Sequence, residues 1–130
     1  MNISLRSVAA VAFFVMAPAL AKPLACPAVA PSSWGLANTR LESVRVLSYP
    51  AGEKIDDGRP LPIMAPDDEY ERDGKLLQTW RMNLDAPKYA YKFDCLFSGT
   101  ERFLRIEAPA VKRCTATSRQ ADQLFIFHCR

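Results

Sequence analysis

Chemistry in this chain would have to start from a single histidine, two groups of acids and four cysteines. Hydrolysis by a triad needs a base, usually a histidine. The one available, His128, stands beside Cys129 in a stretch that reads as a strand, where it is expected as a solvated side chain. A Cys–His couple would need a free thiol, and an even number of cysteines in an exported chain argues against one. Glycosidase chemistry needs paired carboxylates. The candidates are Asp56-Asp57 and the run Asp67-Asp68-Glu69-Tyr70-Glu71. Both lie among prolines and glycines that read as exposed loop, and a raised carboxyl pKa needs burial. The acidic run therefore points to recognition of a basic partner, with Tyr70 as an aromatic anchor. Trp34, in an irregular arm, is expected either to cap a sheet or to serve as a second anchor.

Other constellations are absent or bland. The glycines at 35, 52, 58, 74 and 99 are too scattered to cradle a phosphate. Tyr89, Tyr91 and Phe93 alternate with Lys88 and Lys92, a pattern that would suit base stacking. The same alternation is the ordinary signature of a strand with a core face and a wet reverse side. The cysteines Cys26, Cys95, Cys114 and Cys129 contain no C-x-x-C pair, which disfavours zinc and thioredoxin-like chemistry. No catalytic residue, cofactor, metal or nucleic-acid partner is expected.

The cysteines fit an oxidising compartment, and the N-terminus supplies the route to it. Arg6 is followed by the uncharged apolar run from Val8 to Met16 and by Ala19-Leu20-Ala21, a small-x-small cleavage site. That is the layout of a secretory signal peptide over residues 1–21. The run is too short to span a bilayer, which needs ~20 residues. A buried core helix and a lipoprotein signal at Leu24-Ala25-Cys26 are the competing readings. Pro23 and Lys22 disfavour the lipoprotein, as does the odd cysteine number that lipidation would leave. Residues 22–130 then form a single disulfide-stabilised β domain in the periplasm. Losing Arg6 takes the net charge from +3 to +2, too weak a bias to argue for nucleic acid or membrane.

The fold expected is mainly β, a small antiparallel sheet or sandwich with long Pro-rich loops and two disulfides. Leu41 to Tyr49 reads as a first strand, and Pro50 to Gly74 as one long surface loop. Taking Ser98-Gly99-Thr100-Glu101 as a hairpin turn pairs Cys95 with Leu104 and Phe93 with Ile106 on an apolar face. Lys92 then meets Glu107, and Asp94 meets Arg105, on the other. A slip by one residue would destroy both faces. A turn at Asp85-Ala86-Pro87-Lys88 would add the preceding strand, with Trp80 facing Phe93, Met82 facing Tyr91 and Leu84 facing Tyr89. That register sets Arg81 against Lys92, a like-charge pair that counts against it. A C-terminal hairpin around Ser118 to Asp122 puts Cys114 across from Cys129 and leaves Cys26 to pair with Cys95. Four cysteines allow three connectivities, so this one is a preference.

The spaced pattern resembles a known family. It runs Cys26-Pro27, Val44-x-Val46, Gly52, Gly58-x-Pro60, Ala65-Pro66 and a Trp80 strand. It continues through Tyr91-x-x-x-Cys95-x-x-Ser98-Gly99-Thr100, Pro109-x-Val111-x-x-Cys114 and a terminal Cys129. It is similar to small secreted four-cysteine proteobacterial proteins found near type VI secretion genes, some of which look like periplasmic immunity proteins. The resemblance implies core positions at Trp80, Tyr91 and Val111 and carries no catalytic motif. Arg81 stands where relatives often have an acid. The function it implies is neutralisation of a secreted, cell-wall-targeting toxin by binding. An envelope binding module, such as a lysozyme inhibitor or a peptidoglycan-associated protein, is the alternative.

Overall fold

Residues whose side chains alternate between apolar and polar can bury one face only by pairing into sheets, and almost all the regular structure is antiparallel strand. The computed structural model describes residues 9–14, 24–55, 58–83 and 88–130. Arg6, the Ala19-Leu20-Ala21 site, Lys22, Pro23, the Asp56-Asp57 pair, Leu84 and the Asp85-Ala86-Pro87 turn lie outside the described residues. The strands are β1 (Leu24–Ala25), β2 (Leu41–Pro50), β3 (Asp68–Arg72), β4 (Lys75–Arg81), β5 (Tyr89–Phe97), β6 (Phe103–Glu107), β7 (Arg113–Arg119) and β8 (Leu124–Cys129). They form a five-stranded sheet, β1-β8-β7-β4-β3, and a three-stranded sheet, β2-β5-β6.

The two sheets share one core. The larger contributes Trp80, Cys114, Ala116, Phe127 and Cys129, and the smaller Val46, Phe93, Cys95 and Phe97. Phe127 lies between the sheets, with ring centroids 5.0 Å from Phe93 and 5.9 Å from Trp80 in edge-on geometry. Such contacts contribute roughly 0.5–1.5 kcal/mol each beyond area burial. Val111 is also buried, whereas Tyr91 is half-buried and accepts a hydrogen bond from the Asn83 N–H at its hydroxyl.

Two of the three expected hairpins have the expected register. In β5–β6, Cys95 pairs with Leu104, Phe93 with Ile106, Lys92 with Glu107 and Asp94 with Arg105. In β7–β8, Cys114 faces Cys129, and the two are bonded. Cys26 is bonded to Cys95. Because Cys26 follows β1 and Cys95 lies in β5, that bridge ties the two sheets together, whereas Cys114–Cys129 staples neighbours within one.

Two expectations are corrected. First, β4 does not pair with β5. It lies between β3 and β7, with Trp80 opposite Cys114. The rejected register would have set Arg81 against Lys92. Trp80 and Phe93 meet through the core, by way of Phe127, rather than along a ladder. Second, Pro50 to Gly74 is not one loop. Asp68–Arg72 is a strand joined to β4 by the two residues Asp73 and Gly74, both at positive φ (52° and 74°). Asp-Gly suits a two-residue hairpin turn because both central positions need the left-handed region. Upstream, the Met64 N–H donates to the Val46 carbonyl and the Ser48 N–H to the Pro62 carbonyl, so Pro62–Met64 lie along the edge of β2. The Trp80 indole N–H donates to the Met64 carbonyl at 3.1 Å, pinning this segment to the larger sheet.

Candidate binding surface

The residues expected to meet a partner are only partly brought together. Asp67 and the strand Asp68–Arg72 form the outer edge of the five-stranded sheet, and every residue of that strand is exposed. A strand edge presents unpaired backbone groups, and charged side chains are a common guard against indiscriminate pairing. Trp34 is elsewhere. It ends a short 3-10 turn (Ser32–Trp34), meets Phe97 edge-on at 5.7 Å and lies under the Arg102 guanidinium at 4.4 Å. Trp34 thus caps the core beside the smaller sheet. His128 is half-buried, with its Nε2 3.2 Å from the Thr115 hydroxyl.

Alternation divides the acidic run between two faces. Asp68, Tyr70 and Arg72 share the outer face with their partners Thr79, Leu77 and Lys75. Glu69 and Glu71 point to the other side. The acids nearest β4 are already engaged. Asp67 accepts the Arg81 backbone N–H at 2.6 Å, and Asp68 pairs with the Arg81 guanidinium. Glu69 and Glu71 make no ion pair among the described residues.

The registers also set Tyr70, Leu77, Thr117 and Ile126 in one row across four strands. Tyr70 is 53% and Ile126 49% exposed. Sequence reading missed Leu77 and Ile126 as companions of Tyr70. The Asp73-Gly74 turn was the signal that would have put Tyr70 opposite Leu77.

A second charged cluster lies on the outer face of the smaller sheet. Asp94, expected on a wet reverse side, is fully buried. Its carboxylate accepts from Arg45 Nε at 3.1 Å and from Arg105 Nε at 2.7 Å and Nη2 at 3.1 Å, and it ion-pairs with Arg45 Nη2 at 3.0 Å. The Phe103 ring lies under both guanidinium groups, at 4.8 and 5.0 Å. Two arginines and an aromatic ring roof the carboxylate, so its charge is buried but answered. Cross-strand pairing Arg45–Asp94–Arg105 clamps β2, β5 and β6 into one sheet.

Among the described residues no group of three or more His, Cys, Asp or Glu side chains is placed to hold a metal ion. No helix there is long and apolar enough to cross a membrane. Two disulfides are consistent with an oxidising, extracytoplasmic compartment. No protein-family model, curated protein or solved structure matches the chain.

Proposed function

We propose that residues 22–130, released into the periplasm by removal of a signal peptide, form a non-catalytic binding protein that neutralises a secreted cell-wall-targeting enzyme. The observation that carries this reading is the β3 edge, a fully exposed strand with uncommitted Glu69 and Glu71 and an aromatic, Tyr70, heading the row with Leu77 and Ile126. An inhibitor needs a rigid frame and a few anchors. Two disulfides and a two-sheet core supply the frame. A basic cleft suits an enzyme that binds an anionic wall polymer, and an acidic edge would complement such a cleft and speed encounter. The target class comes from the family resemblance and the acidic edge, not from a site of chemistry.

Periplasmic co-expression with secreted wall-degrading enzymes, taken first from any encoded by neighbouring genes, tests the proposal. The expected result is rescued growth with the native chain and loss of rescue with a Glu69→Ala/Tyr70→Ala/Glu71→Ala variant. Asp67 and Asp68 are spared because they hold Arg81. Full rescue by the triple variant, with its unfolding midpoint intact, rules out β3 as the main contact. Failure of the native chain to rescue or to bind any of these enzymes rules out the inhibitor reading.

A further inference from the structure

Three arginines stand side by side at one end of the five-stranded sheet. Arg81 of β4 pairs with Arg113 of β7. Arg113 and Arg130 exchange both backbone hydrogen bonds, at 3.0 and 2.9 Å, continuing the β7–β8 register by one residue. Trp80, Cys114 and Cys129 are buried in the core, so alternation turns all three arginines to the outer face. Neighbouring strands are ~4.8 Å apart, which places the three arginine backbones within about 10 Å of sheet width. With Lys112 and the buried Met82 they line an open cavity of about 630 Å³.

Like charges directly opposite one another on neighbouring strands are destabilising. Of these side chains only that of Arg81 is ion-paired to an acidic side chain, Asp68, with Asp67 bound to the Arg81 backbone N–H. Among the described residues Lys112, Arg113 and Arg130 make no ion pair. Folding alone gains nothing from this row, whereas an anion seated over it would relieve the repulsion. Arginine forks bind carboxylates and phosphates through paired N–H···O bonds. One fork satisfies a planar carboxylate. A phosphate offers three or more oxygens and up to two charges, and so can engage adjacent forks together. We propose that Arg81, Arg113, Arg130 and Lys112 form a binding site for a phosphate group, either soluble or on a lipid headgroup. The site is distinct from the β3 contact and does not depend on it.

The test uses the oxidised protein at low ionic strength, where screening is weak. Inorganic pyrophosphate is titrated by calorimetry, and sedimentation is measured with phosphatidylcholine vesicles with and without phosphatidylglycerol. The expected result is saturable binding of at least one anionic probe. It weakens about tenfold or more in Arg113→Gln/Arg130→Gln, since charged hydrogen bonds of this kind are each worth a tenfold factor or more. The unliganded variant unfolds at the same or a higher temperature, because repulsion is removed. Arg113→Lys, which keeps the charge and loses the fork, falls between. Binding of pyrophosphate alone assigns a soluble phosphate, and phosphatidylglycerol-dependent sedimentation lost in the double variant assigns a headgroup. Absence of saturable binding to either probe, equal affinity in the double variant, or a lowered unfolding midpoint without ligand overturns the proposal.

Discussion

The outer faces of the two sheets each carry a cluster of arginines, and the two clusters differ in how their charge is answered. On the smaller sheet Arg45 and Arg105 converge on the fully buried carboxylate of Asp94 and stack on Phe103. On the larger sheet Arg81, Arg113 and Arg130 stand exposed in a row with its acids, Asp67 and Asp68, only at the Arg81 end. The first arrangement closes on itself, because every strand of the small sheet contributes one member. The second is open and costs stability as it stands. Counting basic residues would not separate them. The position of the carboxylate and its burial do.

The comparison predicts that the small sheet is held by what lies in and under it. Replacing both Cys26 and Cys95 by Ser removes the tie between sheets, which closes a separation of 69 residues. The chain-entropy model puts the loss at roughly 4 kcal/mol, against about 3 kcal/mol for the shorter Cys114–Cys129 loop. Urea unfolding of the two double mutants measures the order, and a larger loss from the shorter loop would contradict it. Next in size, Asp94→Ala leaves two arginines without their acceptor, at an expected cost of about 3 kcal/mol. A loss below about 1 kcal/mol would show that the arginines re-solvate freely and that the triad is not structural.

On the open row the sign reverses. Arg113→Gln is expected to raise stability by a few tenths of a kcal/mol, or about 0.5 at most, by removing a like-charge neighbour. A loss of 1 kcal/mol or more would erase the distinction between the clusters. The smallest effect belongs to the exposed fork at the β7–β8 turn, where Arg119 Nε and Nη2 donate to the two Asp122 oxygens at 2.8 and 2.6 Å. Hydrogen bonding from Arg119, opposed by desolvation and aided by the arginine's charge, lowers the Asp122 carboxyl to about 2. Its stabilisation of the turn is complete above the ordinary carboxyl range near 4 and is lost as pH falls through about 2. In Arg119→Ala, carboxyl NMR shifts should show Asp122 titrating near its ordinary value of 3.8. An unchanged midpoint would mean the fork does not form in solution.

Hairpins closed by short turns were legible because their registers rest on local alternation. Both the Phe93/Ile106 face and the Cys114–Cys129 bridge followed from it. The Asp73-Gly74 turn is equally local, but the prolines upstream give the whole segment the composition of a loop. Position 94 reads as half of a surface ion pair, since nothing in a β5–β6 hairpin reveals that Arg45 arrives on the other side.

The sequence by itself determined the β class, the register of two hairpins and, through the second of them, a preferred pairing of the cysteines. Side-chain alternation and turn chemistry act between residues near one another in the chain. Only the tertiary structure decided which hairpins share a sheet. It set β4 beside β7 rather than β5, brought Arg45 over Asp94, and lined Tyr70 up with Ile126 and Arg81 with Arg130. Those choices depend on burying Trp80, Phe93 and Phe127 together in one core. That gain is cooperative across the chain and leaves no periodic trace in any one segment.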